Sequence, residues 1–477
     1  MIKEHCGVLG ADFKISSDPS KIVYNALISL QHRGQESYGI AFLEGKKVIV
    51  KKELGLVDQN FILENVRQVR RVIGHVRYST TGSTTQEDAQ PSHYKVDGFE
   101  IALCFNGNIV NFMQLRKELK EKGYQFRSNG DGEVFAAFIA ERYKEYKDYE
   151  KVIDDVFNKV EGAYSTTFLA NTGELIAFRD PFGFRPLNIG TDRMGNTLIA
   201  SETVAFDAND FEEFYSVNPA ELIIIGEDTV QSKILRNVNR RYHCMFEFVY
   251  FSRPDSIFEN KTIYEVRWNL GKELANTYAT DADVIVPIPD SSRPAAEAIS
   301  RVTGIPVVEG LIKNRYIGRT FIMPKQEQRE KNVKLKLNVV KTLVKGKKVL
   351  LVDDSLVRGT TIKRIVEMVR KAGAAKVYVW ITCPPIISPC FYGIDIAIHG
   401  ELIASKKSVE EIRKEIGADQ LCYQTLEGLK RAIGLGENIC TGCLTGIYPT
   451  NLAQKLSDEL RNREDNEKRY WETEINA

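Results

Sequence analysis

The stretch from Val349 to Thr361, Val-Leu-Leu-Val-Asp-Asp-Ser-Leu-Val-Arg-Gly-Thr-Thr, constrains this chain more than any other. Its four leading apolar residues fit a buried strand, and Ile362, Ile365, Val366, Val369 and Ala372 then recur at helical spacing until Gly373. The pattern predicts a strand-to-helix turn of a parallel sheet. Such a turn lies at the carboxyl end of its strand, where the first N–H groups of the next helix can hold a phosphate. The paired acids before it, Asp353 and Asp354, can hold sugar hydroxyls or a hydrated Mg²⁺. Together these parts suit a phosphorylated sugar, although an acid pair after a strand also serves as a plain helix cap.

At 477 residues the chain exceeds one ordinary core and implies two or three domains. Lys and Arg total 65 against 64 for Asp and Glu, so no overall field draws nucleic acid or an anionic membrane. Small molecules or like subunits are the expected partners. No apolar run is long enough to span a bilayer, and Met1 to His5 is too short and polar for a secretory signal. The expected location is the cytoplasm. Eight cysteines over this length do not make a dense disulfide framework, so each reads as catalytic, metal-binding or buried.

Cys6 precedes an apolar, glycine-punctuated run that predicts a first strand. A strand cysteine alone is usually a small hydrophobe. If residues 1–5 were removed as a leader, Cys6 would carry a free α-amino group able to act as base for its own thiol. Polar, glycine-bearing segments follow in order: Gln31–Glu36 after a helical stretch Ile22–Leu30, Gly74–Thr80 bearing Arg77, Phe105–Ile109 with Asn106 and Gly107, and Ser128–Glu133 bearing Asp131. Each alone could be a turn or a surface ion pair. In this order they resemble the glutamine amidotransferase domain of the N-terminal-nucleophile class, an α+β sandwich of αββα layers.

That resemblance implies Cys6 as the nucleophile on the glutamine amide, and Asn106 with the Gly107 N–H as the oxyanion hole. It also implies Arg77 on the α-carboxylate, Asp131 on the α-amino group, and Arg33 and Gly34 shaping the pocket. Tyr38, Gly130 and Gly132 depart from the family's usual residues. Glu161–Ser165, Arg179–Leu187 and Ala200–Thr203 match the later half of the same domain, expected to span 6–235; most of these read as structural, with Arg179 and Arg185 open to a place at the domain junction.

The texture changes from His243. The apolar aromatic run Cys244–Ser256 leads to a predicted helix from about Tyr264 to Tyr278, then to a strand from Val284 that ends in a polar loop with Asp290, Ser291 and Arg293. This half and the stretch around Asp353 resemble the type I phosphoribosyltransferases, an α/β fold with a parallel sheet, expected over 236–450. By resemblance Asp353 and Asp354 hold ribose hydroxyls and, with Ser291, Mg²⁺, while Asp290 and Ser291 face them at the pyrophosphate. Ser355, Arg358, Gly359, Thr360 and Thr361 hold the 5′-phosphate of phosphoribosyl pyrophosphate (PRPP). Arg293 stands where the family more often has a small residue. Lys313–Arg329, which includes Lys325, resembles the loop that closes over PRPP and screens ammonia from water.

Cys440-Thr-Gly-Cys443 brings two thiols within reach of one metal centre, and from the residues alone zinc or redox chemistry would serve as well. Cys244, Cys390, Cys440 and Cys443 resemble the four ligands of a [4Fe–4S] cluster in one branch of the glutamine phosphoribosylpyrophosphate amidotransferases. Cys104, Cys383 and Cys422 read as buried thiols. Residues 451–477 form an expected helical tail, its end charged and solvated.

Both motif sets in one order resemble that family as a whole. The resemblance implies an enzyme converting glutamine and PRPP to 5-phosphoribosylamine, glutamate and pyrophosphate, the first committed step of purine synthesis. It also implies one Mg²⁺ and one cluster per subunit, purine nucleotides as feedback inhibitors, and a homo-oligomer, tetramer or dimer. Two alternatives are a PRPP-sensing regulator without catalysis and another glutamine-dependent amidotransferase. The first would not need Cys6, and the second would not carry Asp353 and Asp354 in this setting.

Overall fold

The computed structural model describes residues 6–14, 18–78, 85–314, 337–396 and 398–461. Its first half supplies strands β1 (Gly7–Asp12), β2 (Ser37–Glu44), β3 (Lys47–Leu54), β4 (Arg71–Arg77), β5 (Ser92–Val96), β6 (Phe99–Ile109), β7 (Gly162–Ala170), β8 (Leu175–Arg179), β9 (Asn188–Thr191), β10 (Thr197–Ala200), β11 (Glu213–Ser216), β12 (Glu221–Ile225) and β13 (Val230–Ile234). They form two antiparallel sheets, ordered β11-β9-β10-β1-β4-β2-β3 and β13-β12-β8-β7-β6-β5.

The sheets meet through Val8, Ile73, Cys104, Leu169 and Ile199, which form a dry inner layer. Helices Pro19–Ser29 and Gln59–Asn65 cover the outer face of the first sheet, and Phe112–Glu121, Asp131–Tyr146 and Tyr149–Lys159 that of the second. The result is the expected αββα sandwich. Both faces of β1 and β7 are covered, so every residue of the two strands is buried, the hydroxyl residues Ser165, Thr166 and Thr167 included.

The second half builds a four-stranded parallel sheet from β14 (Val284–Pro287), β15 (Lys348–Asp353), β16 (Lys376–Ile381) and β17 (Gln420–Tyr423), in that order. Leu350 and Val352 face Ala295, Ala296 and Ile299 of helix Arg293–Thr303. The alternate residues Val349 and Leu351 face Ile362, Ile365, Val366 and Val369 of helix Thr360–Lys371. A two-sided sheet of this kind requires the unbroken apolar strand seen at 349–352.

The halves are fused by buried charge. Glu247 accepts from Arg33 at 2.7 and 3.0 Å and from Arg185 at 3.1 Å, with all three side chains almost inaccessible to water. Arg179 pairs with Glu259 at 2.7 Å. Arg179 and Arg185 therefore do sit at the junction. The helix Asn451–Arg461 returns to the first domain: Ala453 and Leu460 join its core, and Leu452 N–H donates to Glu161 Oε1 at 2.9 Å. Leu460, within the stretch expected to be solvated, is buried.

Candidate active sites

Cys6, Arg77, Tyr78, Gln90, Gly107 and Asp131 line a cleft with about 410 Å³ of empty space, part of it open to solvent. That size suits a small ligand. The Cys6 thiol lies at the mouth of β1 and donates to the Tyr78 carbonyl at 3.7 Å. Burial pushes its pKa up, against the pull of Arg77 and Arg33 and with the help of Asp131. A thiol in that state needs a base before it can attack.

Asn106 and Gly107, expected to form the oxyanion hole, lie on a half-open strand. β5 pairs with β6 only between Phe99 and Leu103, so Cys104 to Ile109 have a neighbouring strand only on the β7 side. On the open edge Phe105 N–H donates to Gln90 Oε1 at 2.7 Å, Phe105 C=O lies 3.2 Å from His75 Nε2, and Ile109 N–H donates to Asp131 Oδ2 at 3.1 Å. The period-two alternation of a ladder points the Gly107 N–H to that same edge. Gly107 has φ +149°, and a Cβ there would stand 1.8 Å from the Ala163 carbonyl oxygen, so no larger residue fits. The Asn106 side chain is fully buried, with neither amide atom hydrogen-bonded among the described residues. An orphaned amide beside an edge N–H is a donor pair awaiting an anion.

His75 is buried and held neutral, its pKa lowered to about 3 by burial and by Arg77. Its Nε2 therefore carries the proton that meets the Phe105 carbonyl.

Arg33 is not a wall of the cleft. Its Nε donates to the Cys6 carbonyl at 3.0 Å, and its other nitrogens meet Glu202 and Glu247, so it fixes the Cys6 backbone from behind. Gly34 lets the same turn pack on the Arg77 backbone, since a Cβ would lie 2.5 Å from Arg77 N. Two of the unusual residues find their reasons. Tyr38 stacks edge-on to Phe61 in the outer core, and a Cβ at Gly132 would collide with Ser92 Oγ at 2.6 Å. Nothing in the structure explains Gly130.

At the second site Asp353 ends β15 and Asp354 follows it, both inside the cleft between the sheet and helix Thr360–Lys371. Ser291 and Ser355 hydroxyls donate to the Asp354 carboxylate, the latter at 2.6 Å, so the Ser291 loop does face the acid pair. Burial pushes both carboxyls up, and for Asp353 the neighbouring Asp354 adds to it. Gly359 caps the helix at φ +75°, and among the described residues no capping side chain accepts from its first N–H groups, which leaves them for a ligand. Arg358 pairs with Glu401. Asp290 pairs with Lys313 at 2.6 Å, and Arg293 is engaged by Glu309. Lys325 and most of its loop lie outside the described residues.

The comparisons with known proteins now bear on this pair of sites. The glutamine amidotransferase domain family matches residues 75–208 and the phosphoribosyl transferase domain family residues 255–385. The amidophosphoribosyltransferase of Methanothermobacter thermautotrophicus is 44% identical over 463 residues, 96% of this chain and 97% of that one. The Bacillus subtilis amidophosphoribosyltransferase is 43% identical over 95% of this chain and 96% of its own. The chain belongs to the amidophosphoribosyltransferases. The solved structure of glutamine PRPP amidotransferase from B. subtilis, complexed with ADP and GMP, superposes with a TM-score of 0.85 at 43% identity, covering 94% of this chain and 98% of that one.

The four cysteines of this amidophosphoribosyltransferase that resemble cluster ligands, Cys244, Cys390, Cys440 and Cys443, come from distant parts of the sequence. Cys244 and Cys440 are opposite partners in a short parallel pairing; Cys390 is near enough to raise the pKa of both, and all three help raise that of the buried Cys443. Burial pushes the Cys244 thiol up to about 11, while Arg185 draws it down. Among the described residues, however, no three His, Cys, Asp or Glu side chains converge tightly enough to hold a metal ion. The thiols share a neighbourhood without closing on one point.

Sequence reasoning missed Tyr250 and Arg267. The charges of Asp354 and Asp353 push the buried Tyr250 hydroxyl further up, and burial lowers Arg267 to about 10 despite Asp354. Gln90, His75, Glu202 and Glu247 were missed as well. His75, Glu202 and Glu247 lie inside segments already singled out, Gly74–Thr80, Ala200–Thr203 and Cys244–Ser256, but their roles come from distant partners: Glu247 pairs with Arg33, 214 positions away, which no local pattern encodes.

Proposed function

We infer that the chain carries out one amidotransfer in two places, glutamine giving up its amide nitrogen at Cys6 and PRPP accepting it beside Asp353 and Asp354. The observation that carries this is the helical turn Glu247–Phe251, which is bonded to the first site through Glu247 and lies within electrostatic reach of the second through Tyr250. Glu247 holds Arg33, which holds the Cys6 backbone, while Tyr250 on the same turn feels the acid pair.

With residues 1–5 removed, the Cys6 α-amine takes the thiol proton and the sulfur attacks the glutamine δ-carbon. Charge developing on the amide oxygen is met by Asn106 Nδ2 and the Gly107 N–H. Arg77 holds the α-carboxylate and Asp131 the α-amino group. Ammonia leaves, and water then cleaves the thioester to give glutamate. Shielded inside the protein, ammonia stays unprotonated and attacks C1 of PRPP as pyrophosphate departs, giving 5-phosphoribosylamine.

Backbone and hydroxyls from Ser355 to Thr361, with Arg358, hold the 5′-phosphate, and Asp290, Ser291 and Lys325 serve the pyrophosphate end. The buried, like-charged pair Asp353 and Asp354 suits a divalent cation, and Mg²⁺ bound with Ser291 would neutralise charge on the leaving pyrophosphate. The four-thiol donor set of Cys244, Cys390, Cys440 and Cys443 suits a [4Fe–4S] cluster with a structural role, since the reaction moves no electrons.

We take 6–235 as the glutaminase domain, 236–450 as the phosphoribosyltransferase domain and 451–477 as a tail. Purine nucleotides such as ADP and GMP are the expected feedback ligands, a homo-oligomer the expected assembly, and the cytoplasm the expected location. Among the described residues no helix is long and apolar enough to cross a membrane.

Cys6→Ala should abolish glutamine-dependent pyrophosphate release and spare ammonia-dependent release. Equal loss of both would refute the two-site reading, and intact-mass measurement of the purified chain tests removal of residues 1–5.

A further inference from the structure

Beyond Leu103 no strand among the described residues covers the outer edge of β6, and a segment of the other domain approaches it instead. Asn108, two residues past Asn106 and only 2% exposed, donates from Nδ2 to the Phe391 carbonyl at 2.9 Å. Gly393, at φ +91°, packs so closely that a Cβ on it would lie 2.8 Å from both the carbonyl carbon and oxygen of Gly107. The segment is itself anchored. Tyr392 stacks on Phe184 at 4.2 Å between ring centroids, and its carbonyl accepts from Arg185 at 2.8 and 3.2 Å.

We propose that Phe391–Gly393, held by Asn108, is a brace for the oxyanion hole, so that Asn106 and the Gly107 N–H reach their working alignment only against the second domain. A strand residue points its N–H and C=O to the same edge, so contact on the Gly107 carbonyl also sets the direction of its N–H. Oxyanion donors must be held to within about 0.5 Å, and an unpaired strand edge lacks the ladder that would do so. Neither Asn108 nor Gly393 lines the cleft, which makes both positioning residues. The proposal rests on the reading of Asn106 and Gly107 as the oxyanion hole.

The test uses the full-length enzyme with Asn108→Ala, Gly393→Ala and, as reference, Asn106→Ala. Glutamine-dependent and ammonia-dependent rates are measured alongside inhibition by the γ-aldehyde analogue of glutamate. Cys6 thiolate adds to the aldehyde carbon, and the carbonyl pair moves onto oxygen in the hole. For Asn108→Ala and Gly393→Ala, kcat with glutamine should fall roughly 10- to 100-fold with KM changed less than ~3-fold, below the loss for removing a donor outright. The aldehyde should weaken by the same factor as kcat, and the ammonia-dependent rate should stay within ~2-fold.

If Asn106→Ala is crippled while both brace variants keep their glutamine kcat, the brace is refuted and the oxyanion reading stands. If Asn106→Ala keeps its kcat, both fall. Asn108→Ala guards against poor folding of Gly393→Ala, and a parallel loss of the ammonia-dependent rate in Asn108→Ala refutes a role confined to the hole.

Discussion

Glu247→Gln removes one charge from the most buried junction of the molecule and changes almost no volume. The carboxylate takes two bonds from Arg33 at 2.7 and 3.0 Å, one from Arg185 at 3.1 Å and one from the Ser252 hydroxyl at 2.9 Å. An amide keeps one acceptor and turns an N–H₂ toward a guanidinium. Arg33 retains Glu202, but Arg185 loses its one carboxylate partner in a site with no water access. Stripping a buried pair of one member costs about 3–5 kcal/mol, which at about 1 °C per kcal/mol for a chain of 477 residues lowers Tm by roughly 3–5 °C.

The pH dependence carries a sign. Burial alone would raise the Glu247 pKa, yet Arg33 and Arg185 hold it below the usual carboxylate range. A depressed carboxylate contributes stability that is complete above its unfolded pKa of about 4.3 and is lost as pH falls through the folded value. The gap in Tm between parent and variant should therefore be flat from about pH 8 to 5.5 and shrink only below about pH 4.3. Scanning calorimetry across that range reads it. A shift under ~2 °C at pH 7, or a gap that widens in acid, would refute the buried counter-ion argument.

Asp353→Asn should behave in the opposite way. Burial and Asp354 raise the Asp353 pKa, so its ionised form costs stability as pH rises above about 4, and the amide should raise Tm at neutral pH with no gain in acid. PRPP turnover should fall at least ~100-fold in the same protein, and a variant that is less stable at pH 7 without ligands would contradict the reading. Cys440→Ser should lower bound iron and acid-labile sulfide in anaerobically purified protein; unchanged iron content would remove Cys440 from the proposed ligand set.

The fold was legible where one element carries its own signal. The run 349–352 and the helical spacing after Thr361 fixed β15 and its helix to within a residue or two, because a strand buried on both faces has no polar position to confuse it. Ser291 facing Asp354 was likewise readable from two motifs with one chemistry. Arg33 was read as pocket lining, though its motif says only that a cation stands near Cys6; its partners Glu202 and Glu247 are 169 and 214 residues away. Arg267 lay hidden in an amphipathic helix where an arginine normally faces water, and here its guanidinium is buried against the Phe248 and Ser252 carbonyls. Long-range burial of charge is a property of the assembled halves, and local spacing does not record it.

The helix Asn451–Arg461 returns to the domain built from residues 6–235. A ribosome emits the N-terminal sandwich first, but its outer layer stays without Ala453 and Leu460 until the last residues emerge. A chain cut short before residue 453 would leave a gap in that layer where Ala453 and Leu460 pack.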